Sequence, residues 1–147
     1  MARRPHLVVA AAVGLVAVLV VVAVILSATR RAPTYQPGTP VAVVQTYLAA
    51  VIDGDHGTAV AQLSSDSPCT VDDFDRSYLP QGVRVVLRDS RIDGDTAQVR
   101  VDVITSTGGP FDTSEYSEKV TLRLTRASGA WLITGSPWPM YQCGKGA

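Results

Sequence analysis

Two carboxylates and a histidine stand close together in Asp53-Gly54-Asp55-His56, the stretch best suited to acid–base or metal chemistry. An imidazole beside a carboxylate can transfer protons near neutral pH, and both groups ligate metals. The stretch lacks the third acid and the terminal Glu of a calcium loop, and a structural zinc site needs four ligands. We therefore predict that Asp55 caps a helix, that His56 is solvated, and that no metal or cofactor is bound.

The two cysteines are candidates for a disulfide bond. Cys69 and Cys143 are far apart in the chain, and neither belongs to a C-x-x-C motif. We predict that they pair, closing a loop of about 75 residues that the chain-entropy model values at roughly 4 kcal/mol. Two unrelated buried thiols are the alternative. Because disulfides persist in oxidising compartments, the pair places this part of the chain outside the cytoplasm.

The elements that position these residues begin after an apolar run. Leu7–Leu26 contains no polar side chain, and as a helix it would span about 30 Å, the thickness of a bilayer core. A cleaved signal peptide is the alternative, but its core is normally shorter and ends at an A-x-A-like site. No such site follows Leu26, so we predict a retained single-pass membrane anchor.

The anchor divides the chain into four parts. We predict a cytoplasmic N-terminal tail over residues 1–6, a transmembrane helix over 7–26, a Pro-containing linker over 27–39 and an extracytoplasmic domain over 40–147. Arginines flank both ends of the apolar run, so the orientation in the cell membrane rests on the cysteines. From Ala32 onward nine Lys and Arg face thirteen Asp and Glu, and such an acidic domain is a poor binder of nucleic acid.

Three helices are predicted at the start of the domain. Thr39 is suited to an N-cap with Pro40 in the first helical position. Apolar side chains then recur on one helical face, at Val41, Val44, Leu48, Val51 and Ile52. Gly54 ends this helix and Asp55 caps a second. A third begins at Thr70-Val71-Asp72-Asp73 around Phe74, with the acids Asp72, Asp73 and Asp75 placed to suit the dipole of its first turns.

After Pro80 the pattern changes to alternation, which predicts four strands with one apolar face. The turns are expected at Asp93-Gly94, at Ser128-Gly129 and in a longer loop over residues 106–115 that carries Phe111. Helices followed by an antiparallel meander indicate an α+β fold. The side chains predicted to face inward include no ionisable group: Val83, Val85, Leu87, Ala97, Val99, Val101, Val103, Val120, Leu122, Leu124, Trp131 and Ile133.

The segment PVAVVQTYLAAVIDGDHGTAVAQL (residues 40–63), followed by a meander ending in GAWLI (129–133), resembles the nuclear-transport-factor-2-like, or cystatin-like, domains. More narrowly, the layout is similar to small actinobacterial single-pass membrane proteins, among them those associated with mammalian-cell-entry lipid transporters. The resemblance implies a cone of about three helices packed on a curved sheet of about four strands. It implies no single function, because the superfamily includes isomerases, dehydratases, binding modules and scaffolds.

In enzymes of that superfamily an Asp, His or Tyr projects into the cone, whereas the inward positions predicted here are apolar. We therefore expect a membrane-anchored extracytoplasmic binding or accessory module without catalytic residues. The alternative is a small cone-fold enzyme of isomerase or hydrolase type that uses Asp53, His56 or Tyr78. The aromatic segment over residues 137–141 is expected to cover the core.

A basic stripe on the outer face of the sheet is the candidate partner surface. Five cationic side chains share the outward parity of neighbouring strands: Arg84, Arg88, Arg100, Lys119 and Arg123. Such a stripe could bind an anionic lipid or an acidic protein at the cell envelope. A plain solvated sheet face is the alternative. Homo-oligomers through this face are also conceivable, although five cations make self-association costly.

Overall fold

The chain is described from a computed structural model, over residues 12–20, 34–79, 82–106, 115–141 and 143–144. It divides into two units, residues 1–34 and 35–147. In the first unit, residues 12–20 form helix α1. Among the residues described here, no helix is both long enough and apolar enough to cross a membrane. The rest of the predicted span Leu7–Leu26 lies outside the described residues, so the transmembrane helix stays a prediction.

Three helices open the second unit, as predicted: α2 (Pro40–Asp53), α3 (His56–Ala61) and α4 (Val71–Asp75). The Thr39 side chain accepts a hydrogen bond from the backbone N–H of Ala42, which confirms it as the N-cap of α2. Gly54 ends α2 with a φ of 75°, a left-handed conformation that favours glycine. The Asp55 carboxylate then accepts from the N–H of Thr58 and caps α3.

The buried face of α2 is formed by Val44, Tyr47, Leu48 and Val51. These side chains recur at intervals of three and four residues, which is the spacing of one helical face. Ile52 was predicted on this face, and that prediction is wrong, because 39% of the residue is exposed. A step of one residue turns the helix by about 100°, which carries Ile52 to the edge of the buried face.

The four strands form one antiparallel sheet in the order β1-β2-β3-β4: β1 (Val83–Asp93), β2 (Thr96–Ser106), β3 (Glu115–Ala127) and β4 (Ala130–Ile133). The predicted α+β class is therefore confirmed. Ser128 and Gly129 form the turn between β3 and β4, both with positive φ, as a tight hairpin requires. The turn between β1 and β2 has Gly94 and Asp95 at its centre, one residue later than predicted. Phe111 lies outside the described residues.

A β-bulge at Arg88 changes the alternation of β1. Leu87 opposes Val101 and Asp89 opposes Arg100, so Arg88 has no partner of its own in β2. The extra residue shifts the parity of every later position in β1. Asp89 consequently lies on the same face as Arg88, whereas simple alternation would place it on the core face.

The core lies between α2 and the inner face of the sheet. The predicted inward residues of β2, β3 and β4 are buried, and those of β1 are partly buried against them. The C-terminal segment also contributes Trp138 and Met140, which confirms that it covers the core. The Tyr47 hydroxyl donates a buried hydrogen bond of 2.8 Å to the backbone carbonyl of Trp138. Large side chains therefore fill the space beneath the sheet.

A disulfide bond joins Cys69 and Cys143, as predicted, across a sequence separation of 74 residues. Both cysteines are buried. Cys69 comes just before α4, and Cys143 lies close to the end of the chain. The bond therefore fastens the C-terminal segment, with Trp138, to the helical side of the domain.

Candidate functional site

The outer face of the sheet carries the predicted basic stripe: Arg84, Arg88, Arg100, Lys119 and Arg123. The strand register confirms this placement, because Asp102 opposes Lys119 and Gln98 opposes Arg123, while the intervening pairs Val101–Val120 and Val99–Leu122 are buried. Strand alternation thus divides the charged and apolar side chains between two faces. Binding of a partner by the stripe stays a prediction.

Three of the five cations are neutralised by neighbouring acids. Arg84 pairs with Glu115 at 3.4 Å, and Arg100 pairs with Asp89 at 2.5 Å. Arg88 pairs with Asp102 at 2.5 Å and also donates from Nε. The sequence did not predict these pairs, because each acid comes from another strand or from the bulge. These three ion pairs form what we call the ladder on the outer face. Because two of the five cations have no paired acid among the described residues, the stripe keeps a small net positive charge.

Asp102 is the buried member of this ladder, with only 6% of the residue exposed. Hydrogen bonds from the Arg88 side chain are the main cause that lowers the pKa of Asp102 below its ordinary value, with smaller contributions from the charges of Arg88 and Lys119. Lys119 and Arg123 form no ion pair with any residue that the structure describes. Arg88, Arg100 and Lys119 are among the residues that line a groove of about 420 Å³.

A second groove, of about 440 Å³, lies at the C-terminal end of α2, and both Asp53 and His56 line it. The described residues along it are mainly apolar: Val51, Ile52, Gly54, Leu79, Gly82 and Val83. Tyr78, the third residue of the enzyme alternative, does not line this groove and is 86% exposed. Asp53 and His56 therefore line one groove, and Tyr78 lies outside it.

His56, the first residue of α3, packs against α4, so the prediction of a solvated histidine is wrong. Its Nδ1 lies 2.5 Å from Oδ1 of Asp75, and its ring lies 5.8 Å from the ring of Phe74. Only 25% of the His56 side chain is exposed. Asp75 is the last residue of α4, so its predicted role in the first turns of that helix is also wrong. A carboxylate on Nδ1 orients the imidazole and leaves Nε2 for a ligand.

One ionisable side chain on the inner face was missed. Glu118 opposes the buried Val103 in β2, and its carboxylate accepts a short hydrogen bond from the Tyr141 hydroxyl. Burial, and then the bond to Glu118, raise the pKa of Tyr141. Glu118 lies two residues before the inward-facing Val120, so continued alternation would have placed it inward. The alternation predicted for this strand began only at Lys119, and Glu118 was therefore left out. Tyr141 could not be paired with it from sequence, because it lies in an irregular segment.

No group of three or more His, Cys, Asp or Glu side chains is placed to hold a metal ion within the described ranges. His56 and Asp75 form a pair, and Asp53 lines the same groove without completing a metal site. The arrangement is suited to hydrogen bonding and to proton transfer by an oriented imidazole. The absence of a cofactor stays a prediction.

Comparisons with known proteins identify the fold. No family model and no curated protein sequence matches the chain. A SEC-C motif containing protein from Rhodopseudomonas palustris has a similar structure, with 18% identity, a TM-score of 0.56, and coverage of 69% of this chain and 79% of that one. A protein from Thiobacillus denitrificans, assigned as a calcium/calmodulin-dependent protein kinase type II association domain, has 15% identity, a TM-score of 0.51, and coverage of 71% and 94%.

A ketosteroid isomerase-like protein from Erwinia carotovora atroseptica is a weaker match, with 13% identity, a TM-score of 0.48, and coverage of 64% of this chain and 87% of that one. Proteins named as nuclear-transport-factor-2-like also occur among the similar structures. At these identities the likeness extends to the fold alone. The chain therefore contains an α+β domain similar in fold to the proteins from Rhodopseudomonas palustris and Thiobacillus denitrificans.

Proposed function

We propose that the chain is a membrane-anchored extracytoplasmic accessory module that binds a protein or lipid partner at the cell envelope and has no catalytic activity. The observation that carries the proposal is the packing of large side chains in the part of the interior that the structure describes. Tyr47, Phe74 and Trp138 are buried where an enzyme with this architecture needs a cavity. A ligand could enter this part of the interior only by displacing them.

The outer face of the sheet is the surface proposed to bind the partner. Arg84, Arg88 and Arg100 are held by ion pairs and form an ordered polar surface. Lys119 and Arg123, which form no ion pair with the described residues, add positive charge. An acidic partner could contact Lys119 and Arg123 and leave the pair between Arg88 and the buried Asp102 intact, so that no buried charge is left unpaired. The fit favours an anionic lipid head group or an acidic protein surface.

The location rests on the predicted anchor, Leu7–Leu26, and on the disulfide. We propose that the N-terminus is cytoplasmic and that the domain lies outside, held by the linker over residues 27–39. An extended linker of this length reaches up to about 40 Å from the bilayer, at roughly 3.1 Å per residue. Such a reach suits contact with lipid head groups or with a neighbouring envelope protein.

Site-specific photocrosslinking of the full chain in its native membrane tests the partner surface. A benzophenone side chain at Thr121, on the outer face, should yield a crosslinked product. The matched control is the same group at Thr46, which is exposed on α2. Reversing the two unpaired charges, with Lys119→Glu and Arg123→Glu, should remove the Thr121 product. Equal products from both positions, or a product insensitive to charge reversal, would contradict the proposal.

Extraction with alkaline carbonate tests the anchor independently. The full chain should stay with the membranes, and a variant without residues 7–26 should be released, because the remaining domain is charged and its apolar side chains are largely buried. Release of the full chain would exclude the anchor without affecting the proposed surface.

The enzyme alternative retains one supporting observation, the hydrogen bond between His56 and Asp75 beside a groove. An imidazole oriented by a carboxylate is a suitable general base for an isomerase or hydrolase. Hydrolysis of p-nitrophenyl acetate by the full chain provides a test. A hydrolase that uses His56 as its general base requires turnover that His56→Gln abolishes, whereas the accessory module requires rates that this substitution leaves unchanged.

A further inference from the structure

We propose that the groove at the C-terminal end of α2 binds a small amphipathic molecule with an ammonium head group. The groove combines an apolar wall with an acidic and imidazole-containing end. It is separate from the outer face of the sheet, so the proposal does not depend on the partner surface. Three features of the groove support this ligand class.

The wall of the groove is apolar. Val51, Leu79 and Val83 belong to the core or pack against it, and Ile52 is exposed beside them. A ligand that covered Ile52 would remove apolar surface from water, which is favourable at roughly 25 cal/mol per Å². The volume of about 440 Å³ lies within the range of small-molecule sites.

The charge at the other end is negative. Asp53 forms no ion pair with the described residues, and it is the last residue of α2, where the helix dipole adds partial negative charge. The described residues that line the groove include no Lys or Arg. Asp75 adds a further carboxylate behind His56, and Asp55 follows Asp53 at the start of α3. The groove is therefore complementary to a cation.

His56 supplies a directed hydrogen-bond acceptor. In the tautomer that donates Nδ1–H to Asp75, the imidazole carries its lone pair on Nε2. An ammonium group bridging the Asp53 carboxylate and Nε2 of His56 would satisfy two of its three N–H donors. Asp75 is a positioning residue in this arrangement, because it orients the imidazole and need not touch the ligand.

Histidine NMR on the full chain in micelles of the uncharged detergent dodecyl maltoside, which brings no ammonium group of its own, tests the proposal. The chain has two histidines, and His6 serves as the internal control for His56. The probe is benzylamine at pH 7.5, with benzyl alcohol, benzoate and ammonium chloride as comparisons. Benzylamine should shift the His56 signals saturably at millimolar concentration, as expected for so small a ligand, and leave His6 unchanged.

Two variants identify the group that recognises the charge. Asp53→Asn should weaken benzylamine binding by about three- to fivefold, the factor that an exposed ion pair contributes. Asp66 is an exposed acid outside the groove, so Asp66→Asn should leave the affinity for benzylamine unchanged. Equal affinity for benzyl alcohol or benzoate, the same shift with ammonium chloride, no shift of His56, or an unchanged affinity in Asp53→Asn would each overturn the proposal.

Discussion

Tyr47 and Trp138 are 91 residues apart in the chain, and the hydroxyl of the first donates a 2.8 Å hydrogen bond to the backbone carbonyl of the second inside the core. The bond joins the first long helix to the segment that follows the last strand. It also satisfies a polar group that is otherwise costly to bury. The sequence predicted burial of Trp138 but not this partner.

Removing the Tyr47 hydroxyl should therefore destabilise the domain. Tyr47→Phe leaves the Trp138 carbonyl unpaired in the core, and we expect a loss of about 1–3 kcal/mol in the free energy of unfolding. Urea denaturation followed by tryptophan fluorescence measures the loss. Tyr78→Phe is the matched control, because Tyr78 is exposed. Equal stability of Tyr47→Phe and the native chain would show that the bond contributes nothing.

Ionisation of Tyr47 should also make the domain less stable in alkali. Burial raises the pKa of Tyr47 above its ordinary value of 10. As the pH rises, the phenol therefore ionises in the unfolded chain before it ionises in the folded one. The free energy of unfolding should be constant below about pH 10 and should fall above it, by at most about 1.4 kcal/mol per pH unit. Melting temperatures from pH 8 to 11.5 test this. The decline should be shallower in Tyr47→Phe, and an identical decline would contradict the assignment.

The disulfide should supply a large share of the stability. Because it links residues 74 positions apart, the chain-entropy model predicts that Cys69→Ser combined with Cys143→Ser costs roughly 4 kcal/mol. Denaturation of the native chain and of the double variant, with and without reductant, measures this. Reductant should weaken only the native chain. Its intact mass should also rise by two hydrogens, and native protein carrying two free thiols would refute the bond.

The ion pair between Arg88 and Asp102 should make stability depend on acidity. The pKa of Asp102 is lower in the folded domain than in the unfolded chain. The carboxylate therefore stabilises the fold above about pH 4, and this stabilisation is lost as the pH falls through the folded-state pKa. Asp102→Asn should lower stability at neutral pH and flatten its decline between pH 5 and 2. Asp89→Asn, which breaks an exposed pair, should have a smaller effect in both respects.

The turn between β3 and β4 offers a stabilising substitution. Ser128 has a φ of 51°, a left-handed conformation that disfavours most residues with a side chain. Asn tolerates this conformation better and precedes Gly in the preferred two-residue hairpin turn. We expect Ser128→Asn to stabilise the domain by about 0.5 kcal/mol, measured by thermal denaturation, and Ser128→Val to destabilise it. The opposite order would contradict the turn assignment.

Local chemistry allowed much of this fold to be predicted. Thr39, Gly54 and Asp55 act through neighbours within a few residues, so their caps can be predicted from the chain alone. Alternation likewise identified the inward positions of the four strands, because the period of a strand is a local property. The cysteine pair could be predicted because the 147 residues contain two cysteines, Cys69 and Cys143.

The tertiary structure alone decided which charged side chains meet. Asp75 reaches His56 because α3 and α4 pack together, and no local pattern encodes that contact. Asp89 faces Arg100 because the bulge at Arg88 shifts the strand parity. The sequence by itself therefore determined the elements, their faces and the covalent link, all of which follow from short-range periodicity and residue type. The pairing of charges and the two grooves depend on distances between elements, which only packing defines.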